Sequence, residues 1–230
     1  MTPLAGAGLD TINRRIVGCQ RCPRLRAYCA RIAQEKKREF RAWEYWAKPV
    51  PGFGDPRARL LIVGLAPAAH GANRTGRMFT GDSSGAWLYG ALHRFGFASA
   101  PTSTSRDDGL VLTDCYIAAA ARCAPPDNKP TPVELSHCRP YLEAELAALR
   151  HMRVVLALGK VAHDAFLKAA GRATRARPRF AHAAEARLAD GTMLVSSYHP
   201  SRQNTNTRRL TRAMWYRVFR RVRALLRLIG

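Results

Sequence analysis

Acidic residues are scarce in this chain: 16 Asp and Glu stand against 38 Lys and Arg, a formal charge of +22 over 230 residues. Such an excess raises the potential around the surface and draws polyanions, so nucleic acid is the first partner to consider. A genome-wide arginine bias would enrich Arg beside the many Ala and Gly, but it would not by itself remove the acids. Long hydrophobic runs are missing too, and no stretch approaches the roughly 18 apolar residues of a membrane-spanning helix. The 47% hydrophobic content still suffices for one substantial core, so a single soluble domain over residues 1–230 is expected. The opening M-T-P-L-A-G-A-G-L-D has no basic segment leading into an apolar one. No secretory signal is read there, and a reducing, cytoplasmic setting is expected. Internal repeats and long low-complexity segments are absent.

Cysteine is sparse, and four of the six fall in two distant pairs, Cys19 with Cys22 and Cys123 with Cys138. The first pair, in G-C-Q-R-C-P, has the spacing at which a tight turn points both sulfurs at one metal. Disulfides do not suit a reducing interior, so the four thiols predict a metal site that ties the amino terminus to the middle of the chain. Zinc and an iron–sulfur cluster both accept four thiolates. Zinc ribbons repeat the short spacing in their second half and this chain does not, which favours the wider cluster while leaving zinc open. Cys29, in an expected helix, and Cys115, in an expected strand, read as small apolar packing residues.

Apolar runs at 60–65, 111–118, 153–158 and 193–198 read as strands, and helical spacing recurs over 84–95, 132–149, 160–170 and 207–228. Strands alternating with helices predict an α/β fold, a three-layer α/β/α sandwich around a central four-stranded, mainly parallel sheet, in a core over 58–230. Ahead of it a polar helix is expected over 24–47, within a helical, cysteine-bearing extension over 1–50. Residues 100–108 and 172–179 read as loops. In the last helix Trp215, Val218, Phe219, Val222, Leu225 and Leu226 form a stripe for burial, which leaves its arginines to solvent or phosphates.

Ligands of an open parallel sheet bind beyond the carboxyl ends of its strands. After the first run the chain reads A-P-A-A-H-G-A-N-R-T-G-R-M-F-T-G-D-S-S-G, with few residues to fill a core and Asp82 as a lone carboxylate amid bases. G-x-G-x-x-G is missing, which disfavours a dinucleotide site. After the last run comes H-P-S-R-Q-N-T-N-T-R-R. A histidine at a strand end can donate a hydrogen bond to developing negative charge. Ser201, Arg202, Asn204 and Asn206 beside it favour that role over a merely structural His199.

These two loops, with R-C-A-P-P-D-N-K-P around Cys123 and the four cysteines, closely resemble the uracil-DNA glycosylase superfamily, and within it family 5, the type-b iron–sulfur enzymes of bacteria and archaea. The resemblance runs from Cys19 through the last helix. It implies hydrolysis of the N-glycosidic bond of a deaminated base in DNA, the opening step of base excision repair. It also implies a structural [4Fe-4S] cluster on Cys19, Cys22, Cys123 and Cys138. By matched position, Phe79 stacks on the flipped base, and Gly64, Leu65, Ala66 and Ala119 border its pocket. His199 faces the base carbonyl, Asp82 positions water or stabilises the sugar cation, and Asn204 is a second polar group near the reaction centre. Ser201, Arg202, Gln203 and Arg208 are expected on the DNA backbone or in the minor groove.

The related family 4 carries Glu where this chain has Leu65 and Asn where it has Ala119. Loss of that selecting amide implies broader base choice, uracil together with hypoxanthine and xanthine. A monomer acting on single- or double-stranded DNA near the nucleoid, away from membranes, is expected. His70 and Asn73 either line the pocket or shape the first loop. The competing readings are a damaged-DNA-binding module without catalysis and a redox-active iron–sulfur enzyme acting on a nucleotide or small molecule.

Overall fold

The computed structural model describes residue 4 and residues 6–171 and 178–229. Six strands form one sheet: β1 Phe53–Gly54, β2 Leu60–Gly64, β3 Cys115–Ala119, β4 Val154–Leu158, β5 Glu185–Arg187 and β6 Met193–Ser197, in the order β1-β3-β2-β4-β6-β5. The central four, β3, β2, β4 and β6, run parallel, with Leu60 opposite both Cys115 and Val154, and Val154 opposite Met193. These are the four apolar runs, and β2, β3 and β4 are buried at every position because both faces of a parallel sheet are covered. The edge strands β1 and β5 pair antiparallel. They add to the expected four and left no mark in the sequence, since β1 has only two residues and β5 exposes Glu185 and Arg187. Short, charged edges also resist further strand pairing.

Side chains alternate across the sheet and so divide the core in two. Leu60, Ile62, Cys115, Ile117, Val154, Leu156 and Val195 face α4 (Ser83–Arg94) and α8 (Arg212–Ile229). Leu61, Val63, Tyr116, Ala118, Val155 and Ala157 face α5 (Pro132–Ala148) and α6 (Lys160–Ala170). The stripe of α8 is buried as expected, and each fully buried Val, Leu or Phe in it contributes about 1.5–3 kcal/mol. The start of α5 is fixed by a capping box in which Thr131 and Glu134 bond each other's backbone N–H. An unanticipated helix, α1 (Leu9–Val17), packs Ile12 and Ile16 on Tyr141 and Ala144 of α5. Among the described residues no helix is long and apolar enough to cross a membrane.

Three boundaries differ from expectation. The strand read at 111–118 begins only at Cys115, because Val111 is exposed and Leu112 makes a single antiparallel bridge to Ala98. The helix read at 207–228 begins at Arg212, and the loop before it holds a short α7 (Arg202–Asn206) capped by Ser201. The helix read over 24–47 is α2 (Pro23–Glu35) alone; Lys36 takes a φ of 46°, and a single 3-10 turn follows at Arg38–Phe40. Beyond it the chain becomes a strap over the first loop. The N–H groups of Trp46 and Ala47 donate to the carbonyls of Arg74 and Asn73 at 2.9 and 3.0 Å, and the rings of Phe40 and Trp43 lie 3.9 and 4.2 Å from the Arg74 guanidinium. These tertiary contacts outweigh a weak helical preference. The loop read at 172–179 lies, for residues 172–177, outside the described residues.

Candidate active site

The carboxyl ends of β2, β3 and β6 converge. N–H groups of Ala120 and Ala121 donate to the carbonyls of Gly64 and Leu65, each at 2.9 Å, and Gly64 stands opposite Ala119. The Phe79 ring lies so close over Gly64 that a Cβ there would meet it at 2.9 Å. Phe79 in turn stacks on His199, with ring centroids 5.8 Å apart and planes 27° from parallel. Leu65 and Ala66 continue from Gly64 as half-buried wall.

Phe79 has a φ of 56°, uncommon for an aromatic residue. Its neighbours hold it there. The Tyr89 hydroxyl donates to the Met78 carbonyl at 2.7 Å, Thr80 and Ser103 share a 2.6 Å hydroxyl contact, and Arg77 pairs with Asp108 at 2.6 Å. That arginine and backbone N–H groups hold the Asp108 carboxyl down at about 2. A costly conformation fixed from several sides is a frequent mark of a functional position.

Asp82 caps α4, its Oδ1 accepting the Gly85 N–H at 2.8 Å. Its Oδ2 faces Gly71, where a Cβ would come within 2.3 Å. Burial pushes the Asp82 pKa up, while backbone N–H groups of Gly85 and Ser84 and the charges of Arg74 and Arg202 oppose the rise. Burial pulls His199 down to about 4, so its imidazole is neutral at pH 7. Among the described residues its ring nitrogens take no hydrogen-bond partner, and they are free to address a ligand. Its backbone carbonyl accepts from Asn204 Nδ2 at 2.8 Å, so Asn204 braces the histidine's loop. A neutral donor, a desolvated carboxylate and an aromatic platform suit cleavage of a bond that separates charge.

The remaining sequence-read residues form a rim. Arg202, Gln203 and Arg208 are exposed along and after α7, with Ser201 half-buried at its cap. Further cations join them, Arg209 over Tyr198 at 4.7 Å and Arg212 over Trp87 at 3.8 Å. His70 and Asn73 shape the first loop: His70 Nδ1 meets the Tyr45 hydroxyl at 3.0 Å, and the buried Asn73 amide donates to Ala69 and Cys29 carbonyls at 3.3 and 3.4 Å. Sequence reasoning missed Arg74. It donates to the carbonyls of His70 and Gly81 at 2.8 and 3.1 Å, gathering both flanks of the loop that carries Asp82. The four aromatic residues crowded into F-R-A-W-E-Y-W, residues 40–46, were the available signal.

The four paired cysteines also come together. Cys22, at the N-cap of α2, is pushed up to about 12 by burial and by Cys138, Cys123 and Cys19; Cys138, in α5, is pushed to about 11 by burial, Cys123 and Cys19, against Arg122. Among the described residues no three His, Cys, Asp or Glu are close enough to hold one metal ion. Thiols that influence one another in this way suit either a tetrahedral zinc or an iron–sulfur cluster. Beside them Arg122 is 1% exposed, and its charge opposes the upward push on Cys138. Its guanidinium pairs with Glu145 through Nη2, while Nε and Nη1 find no partner among the described residues. A buried cation at that place favours an anionic assembly on the thiolates. Cys115 packs in the core as read, whereas Cys29 lies against Cys123. A recess of about 540 Å³ lined by Leu9, Asp10, Arg14 and Arg150 opens at the amino ends of the strands, opposite this chemistry.

Comparison with known proteins agrees with the loop geometry. A family model described as the uracil DNA glycosylase superfamily matches residues 51–223. The chain is 51% identical over 216 residues to a type-5 uracil-DNA glycosylase of Thermus thermophilus, covering 94% of this chain and 97% of that protein. It is 48% identical over 222 residues to one of Mycobacterium tuberculosis, covering 96% and 83%. A type-4 uracil-DNA glycosylase of Archaeoglobus fulgidus is more distant, 30% identical over 155 residues, covering 67% and 61%. With Phe79, Asp82 and His199 on its two signature loops, the chain belongs to the uracil DNA glycosylase superfamily and groups with its type-5 members.

Proposed function

We propose that this protein is a DNA glycosylase that removes uracil and the purine deamination products hypoxanthine and xanthine. The observation that carries the reading is the meeting of Phe79 and His199 at the carboxyl ends of β2 and β6, with the Asp82 carboxylate on the same loop. The target nucleotide leaves the helix stack and its base lies against Phe79. As the bond from the sugar C1′ to the base nitrogen breaks, its electron pair passes to the base. Neutral His199 donates a hydrogen bond to the oxygen on which that charge collects. Asp82 holds the water whose oxygen bonds to C1′, and its charge favours the cationic sugar. The departing base takes up a proton, leaving an abasic site.

The wall of Gly64, Leu65, Ala66 and Ala119 offers no side-chain amide or carboxylate, which supports acceptance of purines as well as uracil. Ser201, Arg202, Gln203 and Arg208 contact the DNA flanking the flipped nucleotide, and the net charge of +22 supports that affinity. Cys19, Cys22, Cys123 and Cys138 would hold a [4Fe-4S] cluster that fastens α2 to the β3–α5 region and takes no part in hydrolysis. The protein acts as a monomer.

Excision from a labelled duplex carrying one uracil or one hypoxanthine tests the reading. Wild type should cut both, and Asp82→Ala and His199→Ala should each be slowed at least about tenfold; for His199, loss of a hydrogen-bond donor to developing charge costs about 2.7–4 kcal/mol. Cleavage confined to uracil would remove the broad specificity. Binding with no cleavage at all would favour a damage-binding module.

A further inference from the structure

β6 loses its strand partners before the chain reaches His199. Its pairing with β4 ends where Leu158 stands opposite Ser197, and its pairing with β5 where Glu185 stands opposite Val195. On the β5 side two main-chain bonds carry the contact further: the Ala183 N–H donates to the Ser196 carbonyl at 2.8 Å, and the Ser196 N–H to the Ala184 carbonyl at 2.9 Å. The next N–H on that side of the strand belongs to Tyr198, and it goes to a side chain, His182 Nδ1, at 3.3 Å. The same imidazole stacks on the Tyr198 ring, with centroids 5.1 Å apart and planes 25° from parallel. Ala183, next in the chain, has a φ of 60°, an uncommon value for a residue with a Cβ that its bond to Ser196 helps to hold.

A nitrogen that accepts from an N–H must carry a lone pair, so this bond fixes the tautomer: Nδ1 is bare and the ring proton sits on Nε2. Burial and the charge of Arg217 lower the His182 pKa, which keeps the lone pair available at neutral pH. Beyond Tyr198, Asn204 Nδ2 donates to the His199 carbonyl at 2.8 Å. The main chain around His199 is therefore gripped on both sides, by His182 before it and by Asn204 after it. We propose, on the glycosylase reading above, that His182 is a positioning residue for His199: its bare Nδ1 holds the Tyr198 N–H and so sets the His199 ring against Phe79 and the departing base.

Two variants separate the acceptor from the ring. His182→Phe keeps a ring to stack on Tyr198 and offers no acceptor, whereas His182→Asn loses the ring and returns an acceptor oxygen. Single-turnover excision of uracil is measured beside the affinity for a duplex that carries a non-cleavable 2′-fluoro uracil nucleotide. His182→Phe should slow excision about 100-fold, the scale of an ångström's misplacement, with affinity within about twofold of wild type. His182→Asn should recover at least about tenfold of that loss. An unslowed His182→Phe would overturn the proposal, and so would equal losses in the two variants, which would credit ring packing. Affinity falling in step with rate would make His182 a DNA contact and overturn it as well.

Should the variants fold poorly, wild type supplies the second measurement. Nitrogen-15 spectra of the histidine-labelled protein at about pH 7.5, with His182 assigned through its cross-peaks to the Tyr198 ring protons, should show Nε2 protonated and Nδ1 bare. A proton on Nδ1 would overturn the proposal. Wild type that binds the uracil duplex and never cuts it would instead overturn the glycosylase reading, and the positioning role with it, whatever the tautomer.

Discussion

The pH dependence of excision separates the two groups that the site desolvates. His199 is held at about 4 by burial, against an ordinary value of 6.5. That difference opposes the imidazolium by up to about 3 kcal/mol, reduced by whatever solvent enters the pocket mouth. An unperturbed histidine would be half protonated at pH 6.5; at its depressed value His199 is protonated in fewer than about 1 in 100 molecules. Asp82 moves the other way, its pKa raised by burial. If the working state is neutral His199 with ionised Asp82, the rate rises with pH through the raised Asp82 value and then stays level, with no separate step from His199 at 6.5. Single-turnover excision of uracil from a labelled duplex, followed from about pH 4.5 to 9, reads this directly because product release is removed from the rate. His199→Gln should lower the plateau without moving the limb. A step centred near 6.5 in wild type that disappears in His199→Gln would refute the argument, since it would make the imidazolium the changing species. Stability gives a companion sign. Because the folded pKa of His199 lies below the unfolded one, its contribution is fully present above 6.5 and is lost as pH falls from 6.5 towards 4.

Gly71→Ala places a Cβ within 2.3 Å of Asp82 Oδ2, so the carboxylate must move. Single-turnover excision should fall about 100-fold, the scale of an ångström's misplacement, and the change should add nothing to Asp82→Ala. Arg74→Met removes a cation clamped between Phe40 and Trp43 and frees the His70 and Gly81 carbonyls. Because Arg74 restrains the rise of the Asp82 pKa, the acid limb should shift to higher pH in Arg74→Met and return in Arg74→Lys; an unmoved limb would confine Arg74 to structure. Arg122→Met leaves Glu145 charged and unpaired in the core and should cost about 3–5 kcal/mol in urea unfolding, with Arg122→Met/Glu145→Leu recovering most of the loss.

The parallel core was legible because a strand covered on both faces must be apolar throughout, and Leu60–Gly64 and Val154–Leu158 carry that signature without interruption. Phe79, Asp82 and His199 were legible for the opposite reason: they sit in stretches that no packing requirement explains. The strap was hidden. Its residues 36–47 continue a helix-compatible polar pattern, and the competing conformation gains its stability from a loop some thirty residues later in the chain, through Asn73 and Arg74. Edge strands of two and three residues are too short for periodicity to mark. The nearness of Cys29 to Cys123 was hidden too, since a buried thiol in a helix has the same sequence signature whether it meets another thiol or a methyl group.

The parts that sequence reasoning missed join the two that it found. From Cys22 the chain runs through α2 to Cys29, whose carbonyl is held by Asn73, and onward through the strap that closes Phe40 and Trp43 over Arg74. Arg74 ends that path at the Gly81 carbonyl, one residue before Asp82. Asn73 and Arg74 are buried on this path, and Phe40, Trp43, Trp46 and Ala47 lie half-buried over them. A disturbance at the thiolates therefore has a continuous packed route to the carboxylate, with no demand for electron transfer. On the proposed cluster reading this gives the cluster a structural purpose: the extension has few apolar residues of its own, and α2 buries only Leu25, Cys29 and Ile32. A helix so thinly anchored by apolar contact gains from a metal-linked tether at its first turn, because the strap that shapes the active site begins where that helix ends.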